Sequence, residues 1–340
     1  MTSIERLRTT GIGRLGTPAR GFRYKSADRH RVSAQDLSRI EALKIPPAWK
    51  DVAVSSAANG RLQAVGRDAA GRWQYLYHEN HVRSQERKKF KRLIHFAENL
   101  PAMRKMIAQH VRRPGLPRER VMACIVRMLS IGFMRPGSDT YTSENGSYGL
   151  TTLRPRHVLV KGNTIAFDFA GKAGVQQHRQ LHDPQTARVL RSLLKFSNQR
   201  VFKYEAEDGR MISVKAKHVN ECIREAMGRK FSAKDFRTWS GTLLCACALA
   251  RQGIDGNEKP RGRKRKIIAA IKETAEALGN TPAVSRDSYI CPSVITAFEK
   301  GRIITDYFEN AEKLIRYRGT KLHKAEKSLL RSLKEETHGA

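Results

Sequence analysis

Tyr289 ends the run Asn280-Thr-Pro-Ala-Val-Ser-Arg-Asp-Ser-Tyr289, late in a chain whose 65 Lys and Arg outnumber its 32 Asp and Glu. A tyrosine beside basic residues in so cationic a chain suggests a nucleophile for phosphodiesters. Phenol is poorly nucleophilic near neutral pH because its pKa is about 10, so such a site must stabilise both phenolate and a charged five-coordinate transition state. Guanidinium groups suit that role, because they stay charged and present a planar fork to two phosphoryl oxygens. A lysine ammonium is a flexible point charge whose pKa can shift, so it can deliver a proton. The chemistry calls for at least two arginines, one lysine as acid, and the tyrosine.

The sequence supplies each in a distinct setting. Ser130-Ile-Gly-Phe-Met-Arg135-Pro-Gly places Arg135 at the end of an amphipathic helix, before the Gly-rich stretch Glu144-Asn-Gly-Ser-Tyr-Gly149-Leu-Thr-Thr. Phe167-Asp-Phe-Ala-Gly-Lys172-Ala-Gly places Lys172 at a strand tip, where glycines permit a tight turn and close approach of a ligand. Lys234-Asp-Phe-Arg237-Thr-Trp places Arg237 at the start of a helix carrying Leu243 and Leu244. Singly, each has an ordinary reading: an arginine capping a helix, a solvated lysine, a core tyrosine with its hydroxyl bonded. The joint set is what points to chemistry.

The elements that must position these residues fall into two parts. Residues 1–84 contain strand candidates at 52–54, 62–66 and 73–77, with turns at Ala58-Asn-Gly60 and Asp68-Ala-Ala-Gly71, and one helix over 34–43 stopped by Pro46-Pro47. Residues 85–340 read as mostly helical, with helices near 86–99, 102–112, 118–133, 183–196, 215–228, 239–251, 263–278, 293–300 and 305–316. A strand pair at 157–160 and 165–169 is joined by Lys161-Gly-Asn163. The basic run Lys259-Pro-Arg-Gly-Arg-Lys-Arg-Lys266 reads as a loop or linker between helices, and the segment from Lys321 as an exposed helix. The expected fold class is α+β, a small β-rich N-terminal domain joined to a larger, mostly helical one.

A formal net charge of +33 makes a large polyanion the expected partner, since neutralising phosphates releases counterions and drives salt-sensitive binding. No apolar stretch approaches the roughly 20 residues of a membrane span, and the first residues carry no signal-peptide core, so a cytoplasmic, nucleoid-associated protein is expected. Five cysteines, at 124, 222, 245, 247 and 291, form no CxxC pair and read as reduced, mostly buried thiols. His78-Glu-Asn-His81 follows a strand-like run and reads as a surface or DNA-facing pair rather than a metal site. There is no G-x-x-x-x-G-K-[ST] phosphate loop, because Ala166 stands where that motif needs glycine before Gly171-Lys172.

The order and context of these motifs resemble the type IB DNA topoisomerases, in particular the compact poxvirus-like form found in bacteria, over nearly the whole chain. In the first domain the carriers are Ile45-Pro-Pro-Ala-Trp49 and Leu62-Gln-Ala-Val-Gly-Arg-Asp-Ala-Ala-Gly-Arg-Trp-Gln74-Tyr75-Leu-Tyr77-His. Matched residue by residue, the resemblance implies an active site of Arg135, Lys172, Arg237, Asn280 and Tyr289, with Asn280 where poxvirus members carry histidine. It further implies DNA contacts from Arg72, Gln74, Tyr75, Tyr77 and Lys234. The implied activity is relaxation of supercoiled duplex DNA through a 3′-phosphotyrosyl intermediate, by a monomer acting as a clamp, with no cofactor, ATP or required metal. Pro136 and Cys291-Pro292 depart from the family pattern without removing a catalytic group. A tyrosine recombinase would share the Arg, Lys, Arg, Tyr order but usually has histidine where Lys234 stands, and a non-catalytic nucleoid protein would account for the charge alone.

Overall fold

The structure, a computed structural model, describes residues 1–338 apart from 29–30, 197–198, 229 and 257–258. It divides into two compact units, Met1–Lys89 and Phe90–Ala340.

In the first unit, helix α1 (Ser3–Thr10), strands β1 (Ile12–Thr17) and β2 (Gly21–Ser26), helix α2 (Ala34–Ala42) and strands β3 (Lys50–Val54), β4 (Leu62–Arg67) and β5 (Trp73–Tyr77) follow in order. The strands form one antiparallel sheet in the order β2-β1-β3-β4-β5, which leaves β5 at an edge. Sequence reading missed α1 and the β1–β2 hairpin. Only Ile12 of β1 is buried and β2 buries nothing, so neither strand shows an alternation of apolar residues. The core gathers Ile12, Ile40, Ile45, Val52, Val54 and Ala64. Gly66 is needed because a Cβ there would lie 2.7 Å from the Trp49 ring.

Helix α3 (Glu79–His110) runs through the division between the units. It is one helix where two are expected, with Pro101 inside it. Leu93, Ile94, Phe96, Ala97, Leu100, Met103 and Ile107 form an apolar stripe that continues past the proline, and its burial outweighs the lost backbone bond. Its first buried residue is Leu93, so the leading turns bury nothing.

The second unit continues with α4 (Arg118–Ile131), α5 (Asp139–Asn145), strands β6 (Val158–Lys161), β7 (Thr164–Ala170) and β8 (Gln176–His182), α6 (Pro184–Lys195), the short strands β9 (Lys203–Glu205) and β10 (Met211–Ser213), α7 (Ala216–Met227), α8 (Ala233–Gln252), α9 (Pro260–Leu278), α10 (Pro282–Tyr289), α11 (Pro292–Glu299), α12 (Ala311–Arg316) and α13 (Lys324–His338). Ile165, Phe167 and Phe169 of β7 are buried in alternation, and β7 is the middle strand of a three-stranded antiparallel sheet. The fold is α+β, with most of the larger unit helical. All five cysteines are buried. Among the described residues no helix is long and apolar enough to cross a membrane.

Four further expectations change. The run 259–266 is not a loop, because Pro260 occupies the first turn of α9 and Ile267, Ala270 and Ile271 bury that helix's other face. Helix α8 begins at Ala233, six residues before the expected 239, because Ser232 and Asp235 form a capping box at its start. Residues 305–310 are not helical, and α12 starts only after its Asn310 cap accepts the Lys313 amide at 2.9 Å. The C-terminal helix is not simply exposed: Ala325, Leu329 and Leu333 join the core, and buried Glu326 pairs with Arg104 at 2.7 Å.

Candidate active site

Tyr289 is the last residue of α10, a helix that starts where Thr281 accepts the Val284 amide and Pro282 takes the first turn. Its backbone is clamped to α8. A Cβ on Gly241 would lie 2.9 Å from the Tyr289 carbonyl and 3.0 Å from its Cβ, so only glycine lets the two helices meet there. One residue on, the buried Thr242 hydroxyl sits 3.2 Å from the Tyr289 carbonyl and accepts the Cys291 amide at 3.1 Å. The phenol itself is half-buried.

Arg237 lies on α8, one turn before Gly241, and is 3% exposed. Burying a guanidinium is costly unless its donors are met. Here Nη1 donates to the Phe133 carbonyl and Nη2 to the Leu278 carbonyl at 3.0 Å, while Nε is buried without a partner. Phe133 has φ +51, a left-handed conformation uncommon for a bulky residue, in the turn that leads from α4 to Arg135. The start of α8 is anchored in turn by Asp235, which accepts Arg92 Nη2 at 2.6 Å and the Ser232 amide at 2.9 Å.

Arg135 follows α4 by four residues, not at its end but in a loop stapled to 149–151: Leu150 donates to the Arg135 carbonyl at 2.9 Å and Thr151 to the Pro136 carbonyl at 2.8 Å. Gly137 (φ +93) and Gly149 permit this, since a Cβ on Gly149 would lie 2.5 Å from the Gly137 nitrogen. Arg135 Nη2 donates to Asn280 Oδ1. A guanidinium can only donate, which assigns Oδ1 as the acceptor and leaves Nδ2 as a donor; that Nδ2 is buried without a partner. Asn280 follows α9, its amide bonded to the Ala275 carbonyl at 2.9 Å.

These groups share one electrostatic field. The Arg237 guanidinium sits 4.9 Å from the centre of the Tyr289 ring. Burial pushes the phenol's pKa up, but Arg237 and Arg135 pull it down by charge and hydrogen bonding, and the net is below the ordinary value. Arg237 is itself pushed down to about 10, by burial first and then by Arg135, which leaves it charged at neutral pH. Among the described residues no carboxylate forms an ion pair with Arg135, Arg179 or Arg237. The site is therefore an excess of positive charge around a phenol, arranged for an anion.

The third of those arginines, Arg179, was missed in the sequence. It lies on β8 and, with Arg135, Arg237 and Gly171, lines a small pocket. In β8 the inward positions are Gln177, Arg179 and Leu181, so a charge on the inner face of an alternating strand was a readable signal. Lys172 stands beside Gly171 at the β7–β8 turn, where Ala173 takes φ +60. It is exposed, and among the described residues no hydrogen bond or ion pair joins it to the cluster. Arg135, Arg237, Asn280 and Tyr289 are thus assembled, and Lys172 is placed at the rim.

In the first unit, strand alternation puts Tyr75 and Tyr77 on one face of β5 and Gln74 on the other. The two tyrosines are 42% and 41% exposed and stack at 6.2 Å. Trp73, on their face, lies under the guanidinium groups of Arg67 at 4.8 Å and Arg8 at 5.6 Å. Arg72 and Gln74 both bond Asp68 Oδ2, at 3.0 and 2.9 Å, while Asp68 is held below its ordinary pKa by the Arg72 amide first. Lys234 is exposed in the first turn of α8, three residues before Arg237.

A cavity of about 350 Å³ lies away from this site, lined by Arg104, Arg127, Asp183, Trp239, Arg318 and Glu326 among others. Its size does not make it the active site. Arg104 pairs with Glu326, Arg127 with Asp183, and Arg318 donates to the His182 carbonyl at 2.7 Å, so three of its four guanidinium groups are answered internally. Two buried donors without partners, Arg237 Nε and Asn280 Nδ2, stand at Tyr289's side instead.

Residues 79–305 match the catalytic core of eukaryotic DNA topoisomerase I, and residues 21–68 match the N-terminal domain of bacterial DNA topoisomerase IB. DNA topoisomerase 1B of Acanthamoeba polyphaga mimivirus is 34% identical over 283 residues, covering 79% of this chain and 84% of the viral protein. DNA topoisomerase 1B of vaccinia virus (strain Copenhagen) is 27% identical over 262 residues, 75% of this chain and 80% of the relative. With two thirds of its length matching that catalytic core, and a cluster of arginines beside Tyr289 within the match, the chain belongs to the type IB DNA topoisomerases and acts on DNA.

Proposed function

We propose that this enzyme relaxes positive and negative supercoils in duplex DNA by transient cleavage of one strand, controlled rotation and religation, without ATP or a required metal. Tyr289 Oη, its proton given up to solvent, attacks a backbone phosphorus as phenolate; the bond to the 5′-oxygen breaks, and a 3′-phosphotyrosyl ester forms. The departing 5′-oxygen takes a proton from Lys172, whose place on a glycine turn at the pocket rim leaves it free to reach that atom. Arg135 and Arg237 hold the non-bridging oxygens, and Asn280 adds a neutral, weaker hydrogen bond. Religation reverses each step, so the phosphodiester energy is kept in the ester and no nucleotide is consumed.

The observation that carries this reading is the pair of buried donors without acceptors, Arg237 Nε and Asn280 Nδ2, beside a phenol held below its ordinary pKa. Buried donors are rarely left unmet, and a phosphoryl group offers the acceptor oxygens they lack. In the same reading the protein acts as a monomeric clamp on DNA in the cytoplasm, with Tyr75, Tyr77 and Arg72 from the first unit and Lys234 from the second gripping the duplex.

The test is relaxation of positively and of negatively supercoiled plasmid in EDTA without ATP, comparing wild type with Tyr289→Phe. Relaxation of both, abolished in the variant, is the expected result. Inactive, well-folded wild type, or an active phenylalanine variant, would sink the mechanism.

A further inference from the structure

We propose that Arg179 is a positioning residue for DNA cleavage, holding the turn at Gly279 so that Asn280 meets Arg135 and the scissile phosphate. This rests on the reaction proposed above. Arg179 Nη1 donates to the Ala277 carbonyl at 2.6 Å, and Nη2 lies 3.5 Å from Gln177 Oε1. With Arg237 on the Leu278 carbonyl, two guanidinium groups cap successive carbonyls at the end of α9, where the helix dipole is negative. Gly279 then turns the chain with φ +62, and there is no room beneath it: a Cβ would lie 2.4 Å from Gln177 Oε1 and 2.5 Å from Arg179 Nη2. The next residue is Asn280, whose side chain accepts from Arg135.

The path from β8 to the reacting groups is therefore short and packed: Arg179, the α9 end with Gly279, Asn280, then Arg135. Arg179 is largely buried beside two like charges and forms no ion pair among the described residues, an arrangement unfavourable in itself. A neutral donor would cap the Ala277 carbonyl at lower cost. What the guanidinium adds is a rigid two-pronged brace, bonded to the helix end by one nitrogen and pressed on Gly279 by the other. Among the described residues no hydrogen bond joins Arg179 to Tyr289, and the packed route from Arg179 to the reacting groups runs through Gly279 and Asn280.

The experiment is a double-mutant cycle on single-turnover cleavage of a suicide duplex at saturating enzyme, with the full chain as wild type, Arg179→Ala, Asn280→Ala and the double variant. Arg179→Ala should slow cleavage roughly tenfold in the wild-type background, the size of one charge-assisted hydrogen bond, and cause no further slowing in Asn280→Ala. Gly279→Ala should match Arg179→Ala, since it disturbs the same turn with every charge kept. Equal slowing in both backgrounds would mean general structural damage, and no slowing in wild type would mean no role; either overturns the proposal. If Arg179→Ala does not fold, Arg179→Gln retains a donor for the Ala277 carbonyl and replaces it in the cycle. Failure of wild type to cleave would instead defeat the underlying reaction, a separate result.

Discussion

The Tyr289 cluster and the outer face of β5 are both cationic and aromatic, yet they are built in opposite ways. Around Tyr289, Arg237 and Arg179 are tied to main-chain carbonyls and Arg135 to the Asn280 side chain, and the aromatic ring is fixed through its backbone to Gly241 and Thr242. On β5 the rings of Tyr75 and Tyr77 are exposed; they stack on each other, and Tyr77 meets the His81 ring at a 45° tilt. Each construction suits a different kind of work. Stabilising a transition state requires charges that need no rearrangement as the reaction occurs, whereas gripping a duplex of varied sequence needs exposed rings that adapt.

The contrast between a rigid pocket and an adaptable face can be challenged at both ends. Arg237→Ala removes a charge from the rigid region and should slow single-turnover cleavage about 10²–10³-fold at saturating DNA. A loss under tenfold would show that the pocket does not act as a preorganised anion site. Gly241→Ala leaves every polar group in place but forces the α10 end away from α8. Overpacking of this kind costs about 1–3 kcal/mol, so a lower Tm and cleavage reduced on the order of tenfold are expected. An unchanged rate would mean that Tyr289 is not held by that contact.

On β5, Tyr75→Ala and Tyr77→Ala should each weaken duplex binding by up to about 1–3 kcal/mol if a ring stacks on a base, and less if it presses on sugar. Cleavage at saturating DNA should be unchanged. Loss of cleavage with normal affinity would erase the distinction between the two regions.

A smaller effect is expected in pH dependence. Burial pushes the Tyr289 phenol up and the two arginines pull it further down, so its net pKa lies below the ordinary value. The cleavage rate should rise with pH as phenolate forms and level off below pH of about 10, the free phenol value. Arg135→Ala removes one of the lowering charges and should move that plateau to higher pH. A profile that keeps its midpoint while losing amplitude would remove Arg135 from the phenol's field.

Residue types, their order and their periodicities were legible in one dimension: Ile165, Phe167 and Phe169 alternating in β7, the apolar face of α4, the glycines around Lys172, and the strand candidates of the first unit. Those features are local, and patterns of period two or 3.6 need no tertiary context to be seen. The placement of Asn280 and Tyr289 came from resemblance. Where a start or stop depended on burial, the reading failed: Pro101 does not end α3 because an apolar stripe continues past it, and the basic run 259–266 is helical because Ile267 and Ile271 anchor α9.

The surroundings of the reacting groups were settled by packing alone. That Arg237 bonds the carbonyls of Phe133 and Leu278, that Arg179 braces Gly279, and that Gln74 faces away from Tyr75 and Tyr77 all depend on which segments meet. Their partners lie as much as 104 positions apart in the chain, and no spacing rule links such residues. The physical reason is that a guanidinium inside a protein is positioned by the carbonyls that satisfy it, and those carbonyls come into reach only when the helices have packed.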